Sequence, residues 1–363
     1  MPTNEQSGSL AKHIDALVQR LRALLPEALH GGNVEAVHQA RVTTRRLKAA
    51  LELLEPVTSN DRRKPLAKTL KKLRRRLGPV RDLDVMLGHL DALKRRRPAL
   101  AAAAQWLETR LREDRREAQC AARDQPAPAR VRDKLHDWAA VCAELADAPE
   151  DAPKTLLAAS LHEQLEDFAR RADELSSAES AAASDPHELR IAGKSLRYTI
   201  EMAQAAGHKL PKDLGRAFKK MQDALGTWHD YVVLCERAQR ESADAMLAHH
   251  DASVQHGLLN IAGAALRTAE RCLAKFVVLW REHGQPIREV IEKEFPLSGD
   301  VAASATGNGD ALTHKGGHFP SPGTPGEGEG GGSFRDQNSE VRQQKPPPQP
   351  SPGIPGEGEV RTG

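Results

Sequence analysis

Two stretches of this chain, His38–Lys48 and His187–Arg197, carry one pattern: His-x-x-Arg, a β-branched residue, two further positions, Arg or Lys, x, Leu, and a final cation. At about 100° per residue, His38, Arg41, Arg45 and Lys48 fall within an arc of roughly 80°, and Leu47, Leu51 and Leu54 cluster nearly opposite. The period is that of an α-helix. Each stretch is therefore an amphipathic helix whose polar face is a row of cations and one imidazole, with His187, Arg190, Lys194 and Arg197 forming the second row. A solvated helix face usually mixes charges of both signs, and no acid interrupts these rows.

The surrounding chain repeats with them. Apolar residues at helical spacing predict helices over about 9–25, 34–54, 63–77, 82–97, 99–123 and 130–146, and then over about 154–175, 186–206, 212–225, 230–248, 253–283 and 286–295. Leu66, Leu70, Leu73 and Leu77 are answered by Leu214, Phe218, Met221 and Leu225, and Gly78 by Gly226. Gly78-Pro79 is expected to end the third helix and Asp82 and Asp84 to open the fourth, whose first-turn carboxylates suit the positive end of the helix dipole. The offset also pairs Lys64 with Lys212, Lys68 with Arg216, Lys71 with Lys219 and Lys72 with Lys220, whereas Arg75 is answered by Asp223. Core packing would duplicate leucines, but it would not require exposed cations to return at the same phases.

These patterns give an all-α fold of two pseudo-symmetric antiparallel helical bundles from an internal duplication, over 8–296, with half one at about 8–147 and half two at about 154–296. Scarce aromatics (3%) and abundant Ala and Leu favour helices over strands. From 297 to 363 Gly, Pro, Ser and Glu dominate, and Phe319–Glu329 nearly returns at Gln349–Glu359. This composition reads as a disordered tail.

Several function classes fall away. The N-terminus has no basic region followed by an apolar stretch, and no apolar run is long enough to span a membrane, so the expected location is cytoplasmic. Cys120, Cys142, Cys235 and Cys272 form no CxxC and read as reduced, buried thiols, with no metal or other cofactor expected. Gly193-Lys194-Ser195 is not a phosphate loop, because Glu188 stands where the first glycine belongs and the segment lies inside a helix. His229-Asp230 resembles the HD of metal phosphohydrolases, yet its counterpart is Arg81-Asp82 and no further ligand set accompanies it. With no nucleophile and base in evidence, the chain reads as a binder and not an enzyme.

The bound partner should be acidic. Between Val34 and Arg97 there are 18 Lys and Arg against 7 Asp and Glu, a local net of +11. Four basic helices around one groove repel each other unless an anion occupies it, and their spacing suits an extended chain of phosphates. A non-specific nucleic-acid module is the alternative, disfavoured by the lack of aromatics in the basic helices for base stacking, and a phosphohydrolase ranks third.

His38-x-x-Arg41-Val42-x-x-Arg45-Arg46-Leu47-Lys48, Leu77-Gly78-Pro79-Val80-Arg81-Asp82-Leu83-Asp84-Val85 and His187-x-x-Arg190-Ile191-x-x-Lys194-x-Leu196-Arg197-Tyr198 resemble the CHAD family, the conserved histidine α-helical domain, over roughly residues 8–295. The resemblance implies an all-helical protein of two pseudo-symmetric bundles that binds inorganic polyphosphate in a basic groove; recruitment to polyphosphate granules is the expectation that follows. It places the ligand against His38, Arg41, Arg45, Lys48, His187, Arg190, Lys194 and Arg197. The cations of the following helices complete the expected site: Lys64, Lys68, Lys71, Lys72, Arg75, Lys212, Arg216, Lys219 and Lys220. Ser195 (for Arg46) and Asp223 (for Arg75) depart from the cationic pattern, so the two halves are expected to contribute unequally. Members fused to a triphosphatase domain are known, and no such domain is legible in this chain.

Overall fold

The computed structural model describes residues 4–124, 138, 141, 152–177, 184–208, 210–247 and 252–296. The expected tail at 297–363, most of the expected helix over 130–146, and Cys142 lie outside these residues. Among the described residues the regular structure is helical throughout. It comprises α1 (Asn4–Pro26), a π-turn (Glu27–Gly31), α2 (Val34–Leu53), α3 (Asn60–Arg96), α4 (Ala101–Asp124), α5 (Ala152–Ser176), α6 (Pro186–Ala205), α7 (Lys212–Leu247) and α8 (Ala252–Glu294), with short 3-10 turns around α3.

The two motif helices, α2 and α6, are each 20 residues long and each begins at a side-chain cap. Asn33 accepts a hydrogen bond from the Ala36 amide at 3.0 Å, and Asp185 from the His187 amide at 2.8 Å. Gly32 supplies the left-handed turn that feeds α2, at φ 62°.

Three expected breaks do not occur. The helices predicted over 63–77 and 82–97 are one helix, α3, which runs through Gly78-Pro79. Likewise α7 runs through Gly226 and α8 through Pro286. Proline removes one amide donor from a helix, but Leu77 and Val80 on either side are fully buried, and that packing holds the helix together across the gap. Asp82 is thus a mid-helix residue rather than a helix opener.

The apolar core gathers into two clusters, and each draws on both halves of the chain. The first takes α1, α2, α5, α6, the start of α3 up to Val80, the start of α7 up to Leu225, and the end of α8 from Phe276. The second takes α4, α3 from Leu83 onward, α7 from Tyr231 onward, and the start of α8 between Leu258 and Ala269. The long helices α3, α7 and α8 pass from one cluster to the other, so the two sequence halves are packed through each other. A polar seam at residues 81–82 of α3 and 229–230 of α7 separates the clusters. The cysteines correct the expectation of uniform burial: Cys235 is buried, Cys272 half-buried and Cys120 exposed. Among the described residues no helix is long and apolar enough to cross a membrane.

Candidate functional site

Arg41 and Arg45 of α2 meet Arg190 and Lys194 of α6 at this seam. Arg41 is 4% exposed. Its Nη2 lies 3.6 Å from the Asp82 carboxylate and its Nη1 donates to the Arg74 carbonyl at 3.2 Å. A Cβ on Gly78 would come within 3.0 Å of the Arg41 guanidinium. Gly78 is therefore a notch in α3 through which the arginine crosses, and not a helix stop. Burial lowers the Arg41 pKa to about 10, helped by Arg45, Arg81 and Arg74 and opposed by Asp82.

Arg190 is the α6 counterpart, 5% exposed, and its surroundings differ. It makes no ion pair, and Nε and Nη1 have no hydrogen-bond partner among the described residues. Its pKa also falls to about 10, first through burial; Arg45 adds to the fall, and Asp230 and Asp82 resist it. Lys194, one turn on, is pushed well below the ordinary lysine range by burial, then by Arg190, Arg45 and Arg41, against Asp230. Arg41 and Arg45 of α2 thus share one field with Arg190 and Lys194 of α6. Neither Arg45 nor Lys194 makes a hydrogen bond or ion pair among the described residues.

Two carboxylates temper the field. Asp82 is pushed up by burial and by Asp230, against the pull of Arg41, Arg45 and Arg190. Asp230 is also pushed up by burial, but His89, whose Nε2 lies 3.6 Å from its carboxylate, together with Arg190 outweighs this and leaves it lowered. The same pair of positions is unequal because His89 serves one of them alone. The imidazoles gather here too. His187 and His229 have ring centroids 5.1 Å apart, and His229 is driven to about 3 by burial and then by Arg190. His38 and His187 are both lowered, chiefly by burial and next by Arg81 and Arg190 respectively.

The structure therefore brings His38, Arg41, Arg45, His187, Arg190 and Lys194 together and leaves the other expected residues outside. Lys48 is held by Glu52, and Arg197 by Glu201 at 3.0 Å, the same carboxylate that binds Arg46 at 2.6 Å. The acid-free rows read from the helix faces are thus compensated at their far ends, by residues that lie one turn further along each helix. Arg197 and Lys219 line a separate, largely apolar cavity of about 180 Å³ between α6, α7 and α8. Lys64, Lys68, Lys71, Lys72, Arg75, Lys212, Arg216, Lys219 and Lys220 are exposed on the outer runs of α3 and α7.

Sequence reasoning missed Arg74, Arg81, Asp82, His89, His229 and Asp230 as members of the site. The signal was present in the paired Arg81-Asp82 and His229-Asp230, but a Gly-Pro read as a stop placed the first pair at a helix start. No group of three or more metal-ligating side chains comes together among the described residues.

A family profile described as CHAD domain matches residues 12–239. A crystal structure of the CHAD domain from the plant Ricinus communis is similar to the chain at a TM-score of 0.58 and 21% identity, over 76% of this chain and 91% of that one. PptA from Streptomyces chartreusis is similar at a TM-score of 0.56 and 17% identity, over 76% and 99%. No curated protein matches the chain significantly.

Proposed function

We propose that this chain, which belongs to the CHAD domain family, binds inorganic polyphosphate without catalysis, holding phosphates in the seam between α2, α3, α6 and α7. The observation that carries the reading is Arg190. A guanidinium this deeply buried with two unpartnered nitrogens is costly unless something accepts its hydrogen bonds. Its planar fork fits paired phosphate oxygens, and Lys194 and Arg45 beside it supply further positive charge. Six basic side chains (Arg41, Arg45, Arg74, Arg81, Arg190, Lys194) face the carboxylates Asp82 and Asp230, with Glu52 acting on Arg74 as well, so basic groups outnumber acids two to one. A polyanion removes that repulsion.

The carboxylates are already engaged, Asp82 by Arg41 and Asp230 by His89. That engagement favours a binding role over general acid–base chemistry. In a cell that stores polyphosphate in granules, such a site would bring the protein to them.

The test is binding of long-chain polyphosphate to the full chain across a salt series, with single-stranded RNA as competitor. Affinity should fall steeply with salt, because each neutralised phosphate releases about 0.7 counterion on a single strand. Polyphosphate should also displace RNA at physiological salt. Salt-independent binding overturns the electrostatic basis, and preferential retention of RNA moves the reading to nucleic acid.

A further inference from the structure

The seam opens onto two outer runs of helix that differ in what they offer an anion. On α3, Lys64, Lys68, Lys71, Lys72 and Arg75 fall within an arc of roughly 100° at about 100° per residue, and Asp82 returns to the phase of Lys64. The row therefore leads straight into the seam, and at about 1.5 Å per residue it extends about 27 Å outward from Asp82. All five cations are exposed, and none makes a hydrogen bond or ion pair among the described residues.

The matching run on α7 has the same phases and a different charge state. Arg216 is held by Asp213, and Lys219 by Asp223 at 2.6 Å. Asp223 stands where α3 has Arg75. An anion leaving the seam along α7 meets two paired cations with their carboxylates and only Lys212 and Lys220 without an ion pair among the described residues, whereas along α3 it meets five such cations.

We propose that a polyphosphate chain too long for the seam runs out along α3 and not along α7, so that the α3 row selects for chain length. The proposal rests on the reading of the seam as a polyphosphate site. A short polyphosphate fills the seam and stops there. Each further phosphate lies against an unpaired α3 cation and releases its own counterion, so affinity grows with length on that side alone. Arg75 and Lys72, nearest the seam on this row, take the first phosphates beyond it.

The test compares two full-length variants of equal charge loss, Lys64→Ala/Lys68→Ala/Lys71→Ala/Lys72→Ala on α3 and Lys212→Ala/Arg216→Ala/Lys219→Ala/Lys220→Ala on α7. Each is titrated with tripolyphosphate and with long-chain polyphosphate over a salt series. The α3 variant should lose about tenfold in long-chain affinity, and its salt slope should fall by roughly 3, four contacts at about 0.7 each. Its tripolyphosphate affinity should stay within about threefold of wild type, because charges beyond a Debye length of about 8 Å are screened. The α7 variant should bind both ligands within about threefold of wild type. Equal long-chain losses in the two variants, or an α3 variant with an unchanged salt slope, overturn the directional path. If wild type binds neither ligand, the seam reading itself fails, and that outcome is distinct from the other two.

Discussion

Replacing Arg190 with methionine should make the unliganded protein more stable while removing its affinity for polyphosphate. Arg190 is 5% exposed, without an ion pair, and burial has lowered its pKa to about 10. A basic group lowered on folding carries a penalty that is fully present below its folded value, and hence throughout the neutral range. At about 1.36 kcal/mol per pH unit, the drop corresponds to roughly 3 kcal/mol held against folding. Methionine keeps most of the side-chain volume and removes the charge, so part of that penalty should be recovered, about 1–3 kcal/mol. Neither aspartate is abandoned by the change, because Asp82 keeps Arg41 and Asp230 keeps His89. For a folded region of this size 1 kcal/mol moves the midpoint by about 2–4 °C. Thermal melts followed by circular dichroism, with and without long-chain polyphosphate, read both effects. Wild type should gain a large ligand-dependent shift and Arg190→Met almost none. A variant that melts several degrees lower without ligand refutes the reasoning, since Arg190 would then be the structural partner of Asp230.

Arg41, its partner in sequence, should behave otherwise: Arg41→Ala breaks the contacts to Asp82 and the Arg74 carbonyl and should lower stability by about 3 kcal/mol as well as binding, in the same melts. His38, His187 and His229 are all held below the ordinary histidine value and are neutral in the free protein. A bound polyanion raises them, so affinity should increase from about pH 8 to about pH 6 with proton uptake, measurable by calorimetry in buffers of different ionisation enthalpy. Without ligand the sign reverses for stability, which should fall as the pH drops through about 6.5, because the unfolded chain takes up protons that the folded one refuses. Glu241, 3% exposed on α7, binds Arg110 of α4 at 3.3 Å and Arg237 of its own helix at 2.6 Å, and Arg237 in turn reaches Asp114 of α4 at 2.6 Å; Glu241→Ala should cost about 3 kcal/mol in denaturant unfolding with polyphosphate affinity unchanged. Gly193→Ala would drive a Cβ into Gln222 and Phe168 and should destabilise by about 1–3 kcal/mol, whereas Gly88→Ala meets open space in mid-helix and should stabilise by about 1 kcal/mol.

Helix periodicity made α2 and α6 legible almost to the residue, because both begin at a capping side chain and both keep an uninterrupted apolar stripe. It also gave the phases of His38, Arg41, Arg45, His187, Arg190 and Lys194. The remainder was hidden for two physical reasons. A proline or glycine in a helix is destabilising by an amount that burial on both sides outweighs, and this information lies with the neighbours and not with the Gly-Pro pair. The charge balance of a helix face depends on residues one turn away, and Glu52 and Glu201 lie just beyond the motif that drew attention to Lys48 and Arg197.

The two aspartates explain why so basic a seam can fold without its ligand. Each sits where α3 or α7 passes from one apolar cluster to the next, within the field of both Arg45 and Arg190 or of Arg190 and Lys194. Without them the converging basic groups would keep only Glu52, at Arg74, as counter-charge, and the self-repulsion would fall on the joint between the two cores. Each further carboxylate would reduce the basic surplus on which the proposed anion binding rests. A single carboxylate per crossing helix therefore sets a middle course, in which the unliganded protein folds but leaves Arg190 unpartnered. On the proposed reading, the strain at that one guanidinium is what a phosphate would relieve, so stability and binding should be opposed at Arg190 and allied at Arg41.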